Sequence, residues 1–151
     1  MEDAAARIER RLIDSLYVEA MLLADEARAY FDESGRTERD TLDPMMRVSF
    51  SCESLKITTR LMHVIAWLLT QRAVAVGELS PRDALDRARR LGDAPASDAG
   101  AVSAMPTRAQ AMIRASVDLH RRTALLDHAQ AEPTSVPSPA RSMIERLSRR
   151  L

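Results

Sequence analysis

Apolar residues recur at three- and four-residue intervals along most of this chain, the signature of amphipathic helices. From Asp3 to Ser34, the positions Ile8, Leu12, Leu16, Ala20, Leu23, Ala27 and Tyr30 form one helical face, and Ile13, Tyr17, Met21, Ala24 and Phe31 widen it. Gly35 is placed to close this helix as its C′ residue. Residues 36–42 read as a polar connector. Asp43-Pro44 then opens a second helix, with Asp as N-cap and Pro at the first helical position. That helix continues to Gly77, a length of about 50 Å. Two long helices with a short connector are expected to lie antiparallel.

The rest of the chain is more broken. Ser80-Pro81-Arg82-Asp83 has a capping-box-like pattern and opens a short third helix that ends at Gly92. Gly92 to Met105 is small and turn-rich, and is expected to be a mobile loop. Pro106 or Thr107 opens a last long helix that runs to about Gln130. Its inward positions are expected to be Ala109, Met112, Ile113, Ser116, Leu119, Thr123 and Leu126.

The second helix is apolar around more than half its circumference. At about 100° per residue, Phe50, Leu55, Ile57, Leu61, Met62, Val64, Ile65, Leu68, Leu69, Ala73 and Val76 fill a continuous arc of roughly 200°. A surface helix usually has an apolar stripe only slightly wider than about 100°, so this helix is expected to touch two neighbours through that arc. The opposite arc holds Glu53, Lys56, Thr59, Arg60, His63, Trp67, Thr70 and Gln71. Ser54 and Arg72 interrupt the apolar side; Arg72 either snorkels outward or forms a buried ion pair with an acid of the first helix.

The only tryptophan therefore falls on the polar side. Lys56, Arg60, His63, Trp67 and Gln71 form an expected protein-binding strip, since Trp and Arg are enriched at binding hot spots. Three covers for Trp67 stand open: the short helix from Pro81 to Leu91, a second copy of the chain, or a different protein.

After Glu132, Pro133, Pro137 and Pro139 break any helix, and residues 131–140 read as a disordered tether. Met143, Leu147 and Leu151 then align on one face, with Ile144 beside them and Arg141, Arg146, Arg149 and Arg150 around the rest. So short a helix is marginal alone. It is expected to be a frayed end, a recognition segment that orders on a partner, or a weak membrane-surface binder. The organisation is thus a helical bundle over 1–130 and a flexible tail over 131–151. The fold class is all-α: an antiparallel three-helix bundle with one extra short helix and a disordered C-terminal tail.

Composition narrows the chemistry. The 22 basic and 22 acidic residues cancel, which argues against general nucleic-acid binding. The charge is segregated, however: residues 1–34 carry nine acids against four arginines, and residues 36–91 carry ten basic residues against seven acids. A single cysteine, Cys52, leaves no intrachain disulfide and suits a reducing cytoplasm. The acidic start MEDAAARIERR is not expected to be a secretory signal. No apolar run approaches the ~20 residues of a membrane span. His63, His120 and His128 form no metal-ligand spacing, and HExxH, CxxC, GxSxG and phosphate loops are absent from the sequence. Neither an enzyme nor a metal or other cofactor is expected; what remains is binding.

The run ESLKITTRLMHVIAWLLTQRAV from Glu53 to Val74, followed by Gly77-Glu78, resembles the RcdA family, the regulators of CtrA degradation. Leu16-Tyr17 with Glu19-Ala20, and Ala27 with Ala29-Tyr30-Phe31, add to the match, which covers roughly the first 90 residues. The resemblance implies a three-helix bundle that dimerises and carries a flexible tail. It implies a non-enzymatic adaptor that helps deliver CtrA-like cargo to the ClpXP protease in cell-cycle control. The implied partners are ClpX with a CpdR-like response regulator, and a PopA-like second adaptor. A cytoplasmic location, concentrated at a cell pole, goes with that role. The mechanism would be tethering, which makes a weak encounter effectively intramolecular. Two other readings stand beside it: a small helical transcription regulator using its arginine tail on DNA, and a purely structural dimer.

Overall fold

The computed structural model describes residues 3–132 and 139–149. In chain order the helices are α1 (Ala4–Ala29), α2 (Arg36–Asp40), α3 (Pro44–Ala75), α4 (Pro81–Ala84), α5 (Ala99–Ser103), α6 (Thr107–Ala131) and α7 (Pro139–Ser148). A π-helical turn, Tyr30–Ser34, follows α1, and a 3₁₀ turn, Arg87–Arg89, follows α4. No strand occurs among the described residues. The chain is all-α, and α1, α3 and α6 are its three rods.

Local chemistry sets the ends of the rods. The Asp3 carboxylate accepts from the Ala6 N–H at 2.8 Å and starts α1. Asp43 does the same for Met46 at 2.9 Å, with Pro44 just inside α3. Gly77, at φ +81°, ends α3. The Glu78 N–H reaches Ala73 O at 2.9 Å and the Gly77 N–H reaches Val74 O at 3.1 Å, a Schellman closure.

The first rod departs from expectation at its end. Gly35 is not a left-handed cap, since its φ is −83°. Its N–H instead bonds Tyr30 O at 2.6 Å, five residues back, which defines the π turn. A β-carbon on Gly35 would stand 2.6 Å from that same oxygen, so close approach is what demands glycine here. The polar connector also winds into α2, whose Glu38 accepts a hydrogen bond from the Tyr30 hydroxyl.

Side-chain contacts fix the directions of the rods. Arg72 meets Asp14 at 3.4 Å, and the Phe31 and Phe50 rings lie 5.0 Å apart, so α1 and α3 are antiparallel. Arg60 pairs with Ser116 and Gln71 with Gln130, so α6 runs parallel to α3. It runs antiparallel to α1, with Arg122 on Glu19 and Gln130 on Glu9. Residues 76–106 carry the chain back along the bundle between the two parallel rods.

This return segment is not the expected loose loop. It contains α5, it buries Val102 and Met105 in the core, and it is bonded to α3 and α6 along its length. The His63 Nδ1–H donates to Asp93 O at 2.9 Å, and the His120 ring bonds Gly92 O at 2.8 Å. The core is aliphatic, from Leu16, Ala20 and Leu23 through Ile57, Val64 and Leu68 to Met112, Ile113 and Leu119. Each large member contributes about 1.5–3 kcal/mol on burial. Tyr30, Phe31 and Phe50 close one end as a ring cluster.

Candidate interaction surfaces

The strip expected to be a surface is closed over from within the chain. Trp67 is 2% exposed, Arg60 is fully buried, and Glu53 and Gln71 are buried beside them. All nine buried residues of α3 fall within a sector of about 120°, centred on Val64. The wheel misplaced this sector because it ranked positions by hydropathy, whereas each polar side chain here makes at least one bond to α6 or the return segment.

Arg60 is the centre of the largest such set. Its Nη1 donates to Ser116 Oγ at 3.1 Å, and its Nη2 donates to Pro95 O at 2.8 Å and Ser97 Oγ at 2.7 Å. Ser97 in turn donates to Glu53, whose other oxygen meets Lys56 at 3.1 Å. Within this set Arg60 Nε has no partner among the described residues. Burial draws the guanidinium below its ordinary range, and the Glu53 charge opposes that shift.

Trp67 is held by a second set. Its Nε1–H donates to Asp127 Oδ1 at 2.9 Å, and Arg90 forks onto the same carboxylate at 2.7 and 2.9 Å. Burial works to raise the Asp127 carboxyl. Hydrogen bonds from Arg90 and Trp67, with the Arg90 charge, outweigh it and hold Asp127 below the usual carboxylate range. Gln71 Oε1 accepts from Gln130 Nε2 at 2.8 Å. Of the expected strip, only Lys56 and His63 keep partial exposure. Ser116 was expected to face inward, but the sequence carried no sign of Ser97, Asp127 and Gln130 as partners, which lie far along the chain.

Arg72 resolves the other way. It pairs with Asp14 of α1, as one of its two readings held, but in the open: both side chains are about half exposed, and the guanidinium lies 4.4 Å above the Tyr17 ring.

The free side of α3 is apolar as well. Met45, Val48, Leu55, Met62, Leu69 and Val76 are exposed, Leu55 by 68%. With Cys52, Thr59, Ala66 and Ala73 between them, these positions recur strictly at alternating three- and four-residue steps over the whole rod. That is the spacing of a coiled-coil seam. A shallow cavity of about 260 Å³ runs beside it, between Met62 and Ile65 of α3 and Ala24, Arg28 and Phe31 of α1. Leu12, Val18 and Leu22 of α1 are exposed as well.

In α7, Met143, Ile144 and Leu147 are exposed, each by more than half. The tether between 133 and 138, the Arg141 side chain and Leu151 lie outside the described residues. Among the described residues no group of three or more His, Cys, Asp or Glu side chains is placed to hold a metal ion, and no helix is long and apolar enough to cross a membrane.

The chain matches the family described as "Protein of unknown function (DUF1465)" over residues 4–151. It is similar to RcdA from Caulobacter crescentus CB15, known from a crystal structure, with 31% sequence identity and a TM-score of 0.64. The likeness covers 79% of this chain and 90% of that one. No curated protein matches.

Proposed function

Since this chain belongs to the RcdA family, DUF1465, we propose that it is a non-enzymatic adaptor that brings regulatory proteins to the ClpXP protease. The single observation that carries this reading is the seam on α3. One side of α3 carries Glu53, Arg60, Trp67 and Gln71 into the bundle, and the other leaves a rod-long apolar stripe outside. Such a stripe has no use in an isolated monomer and marks an interaction face.

The seam is proposed to pair with a second copy of itself. Coiled-coil spacing calls for another long helix, and a two-fold axis across α3 supplies an identical one. The dimer would then present two tails. Met143, Ile144 and Leu147 of α7, with Arg141 and Leu151, are the proposed contacts for cargo or protease; the partly exposed Lys56 and His63 remain secondary ones. ClpX with a CpdR-like response regulator, CtrA-like cargo and a PopA-like second adaptor are the proposed partners, in the cytoplasm and at a cell pole. Tethering alone suffices as mechanism, because holding protease and cargo together raises their effective concentration.

Reconstitution tests the proposal. The purified chain, added to ClpXP with a CpdR-like protein and CtrA-like cargo, is expected to shorten the cargo's half-life severalfold. A cargo half-life that does not change, with all components active, would reject the adaptor role. A DNA-binding regulator would instead show strong salt-dependent DNA affinity.

A further inference from the structure

The bundle has a second apolar site, apart from the α3 seam and touched by the buried strip through Gln71. At the end where α1 begins and α6 finishes, Ile13, Val74, Ala75, Ala84 and Leu85 enclose a cavity of about 390 Å³. This is within the size range of sites that hold ligands. No residue of the α3 seam lines it. Gln71 does line it, and its buried Nε2 has no hydrogen-bond partner among the described residues. A buried unpaired amide donor is costly to leave unmet. Glu9 and Arg10 stand at the rim, one charge of each sign.

Gln130 is also part of this wall. It lies one residue before the end of α6, so the chain leaves the bundle at the mouth of the cavity. Only residues 133–138 separate Glu132 from Pro139. Those links span at most about 25 Å when fully extended, and α7 is itself about 15 Å long. Its apolar stripe therefore stays within about 40 Å of the cavity, and the cavity lies inside that reach. That stripe, Met143, Ile144 and Leu147, has the i, i+4 spacing of a helix that lies in a groove. Carbonyls of the last turn of such a helix have no partner within it and can accept from an amide donor.

We infer that the cavity between the start of α1 and α4 is a docking site for this chain's own α7, which seats Met143 and Leu147 against Ile13, Ala84 and Leu85. The structure shows Met143 and Leu147 exposed; docking covers them, and a partner that takes α7 has to displace it. The bundle and the tail are thereby coupled in one chain: filling the cavity releases the helix, and capturing the helix empties the cavity. The inference does not depend on which partner the tail serves.

Paramagnetic relaxation in the full-length chain tests it. A nitroxide is attached at Arg149→Cys in a Cys52→Ser background. Peaks of Ile13, Ala84 and Leu85 are expected to lose intensity severalfold, to keep that loss in excess unlabelled chain, and to recover in Met143→Asp/Leu147→Asp. Both substituted residues are exposed, so the bundle stays folded. Three results would overturn the inference: no loss at those residues, loss confined to Leu55 and Met62 on the α3 seam, or loss that disappears on dilution with unlabelled chain, which assigns the contact to a second copy.

Discussion

The Trp67 indole donates to Asp127 across 2.9 Å, a contact between residues 60 positions apart. It ties α3 to α6, and Arg90 locks the same carboxylate from the return segment. One side chain thus joins three parts of the chain. Asp127→Ala removes it and leaves both the indole N–H and the Arg90 guanidinium without their acceptor. A loss of about 2–3 kcal/mol is expected. Because the chain has one tryptophan, its fluorescence should shift to the red in this variant, as water reaches the ring, and chemical denaturation reads the stability change.

The same carboxylate sets an acid limit. Asp127 titrates lower in the folded chain than in the unfolded one. Its contribution is therefore complete above the unfolded value of about 3.9 and is lost as pH falls through the folded value. Tyr30 works in the opposite direction: burial, then the hydrogen bond and charge of Glu38, push its phenol up. That stability is complete below about pH 10 and is lost as pH rises further. Thermal midpoints measured across pH should be flat between these limits and fall outside both.

Arg60→Ala tests the other buried set. It strips Ser97, Ser116 and Pro95 O of their donor and leaves buried Glu53 with Lys56 as its remaining cation. The expected cost is about 3 kcal/mol, the range for breaking a buried charged network. Local opening should precede global unfolding, so limited proteolysis is expected to cut between Asp93 and Ser97 in the variant under conditions that spare the parent.

Leu55→Asp and Met62→Asp address the α3 seam. Both side chains are exposed in the monomer, so the thermal midpoint of the dilute chain should move by no more than about 0.5 kcal/mol equivalent. Self-association, followed by sedimentation velocity over a concentration series, should be lost. An unchanged sedimentation coefficient at every concentration would take the seam out of dimer formation.

The rods were legible because their determinants are local. Asp43-Pro44 and Ser80-Pro81 cap and open helices by themselves, and the inward residues of α6 follow from spacing alone, with Asp127 the addition and Leu126 only partly buried. The orientation of α3 was not legible in the same way. It is apolar on two sides, and hydropathy cannot say which faces the core. What decides is whether Glu53, Arg60, Trp67 and Gln71 can be satisfied inside, and that depends on residues from Arg90 to Gln130. The strict alternation of three and four from Met45 to Val76 was the signal for an outward seam, since a core of straight helices does not need a 3.5-residue repeat.

The parallel course of α3 and α6 carries a kinetic consequence. An up-and-down hairpin such as α1 with α3 closes through near neighbours and needs little loop entropy. The last rod can dock only after the intervening 30-odd residues have threaded back past Arg60 and His63, a larger closure paid before its contacts reward it. Assembly is therefore expected to be ordered, with a helical hairpin first and α6 last, so that the tryptophan reaches its final environment in the final step.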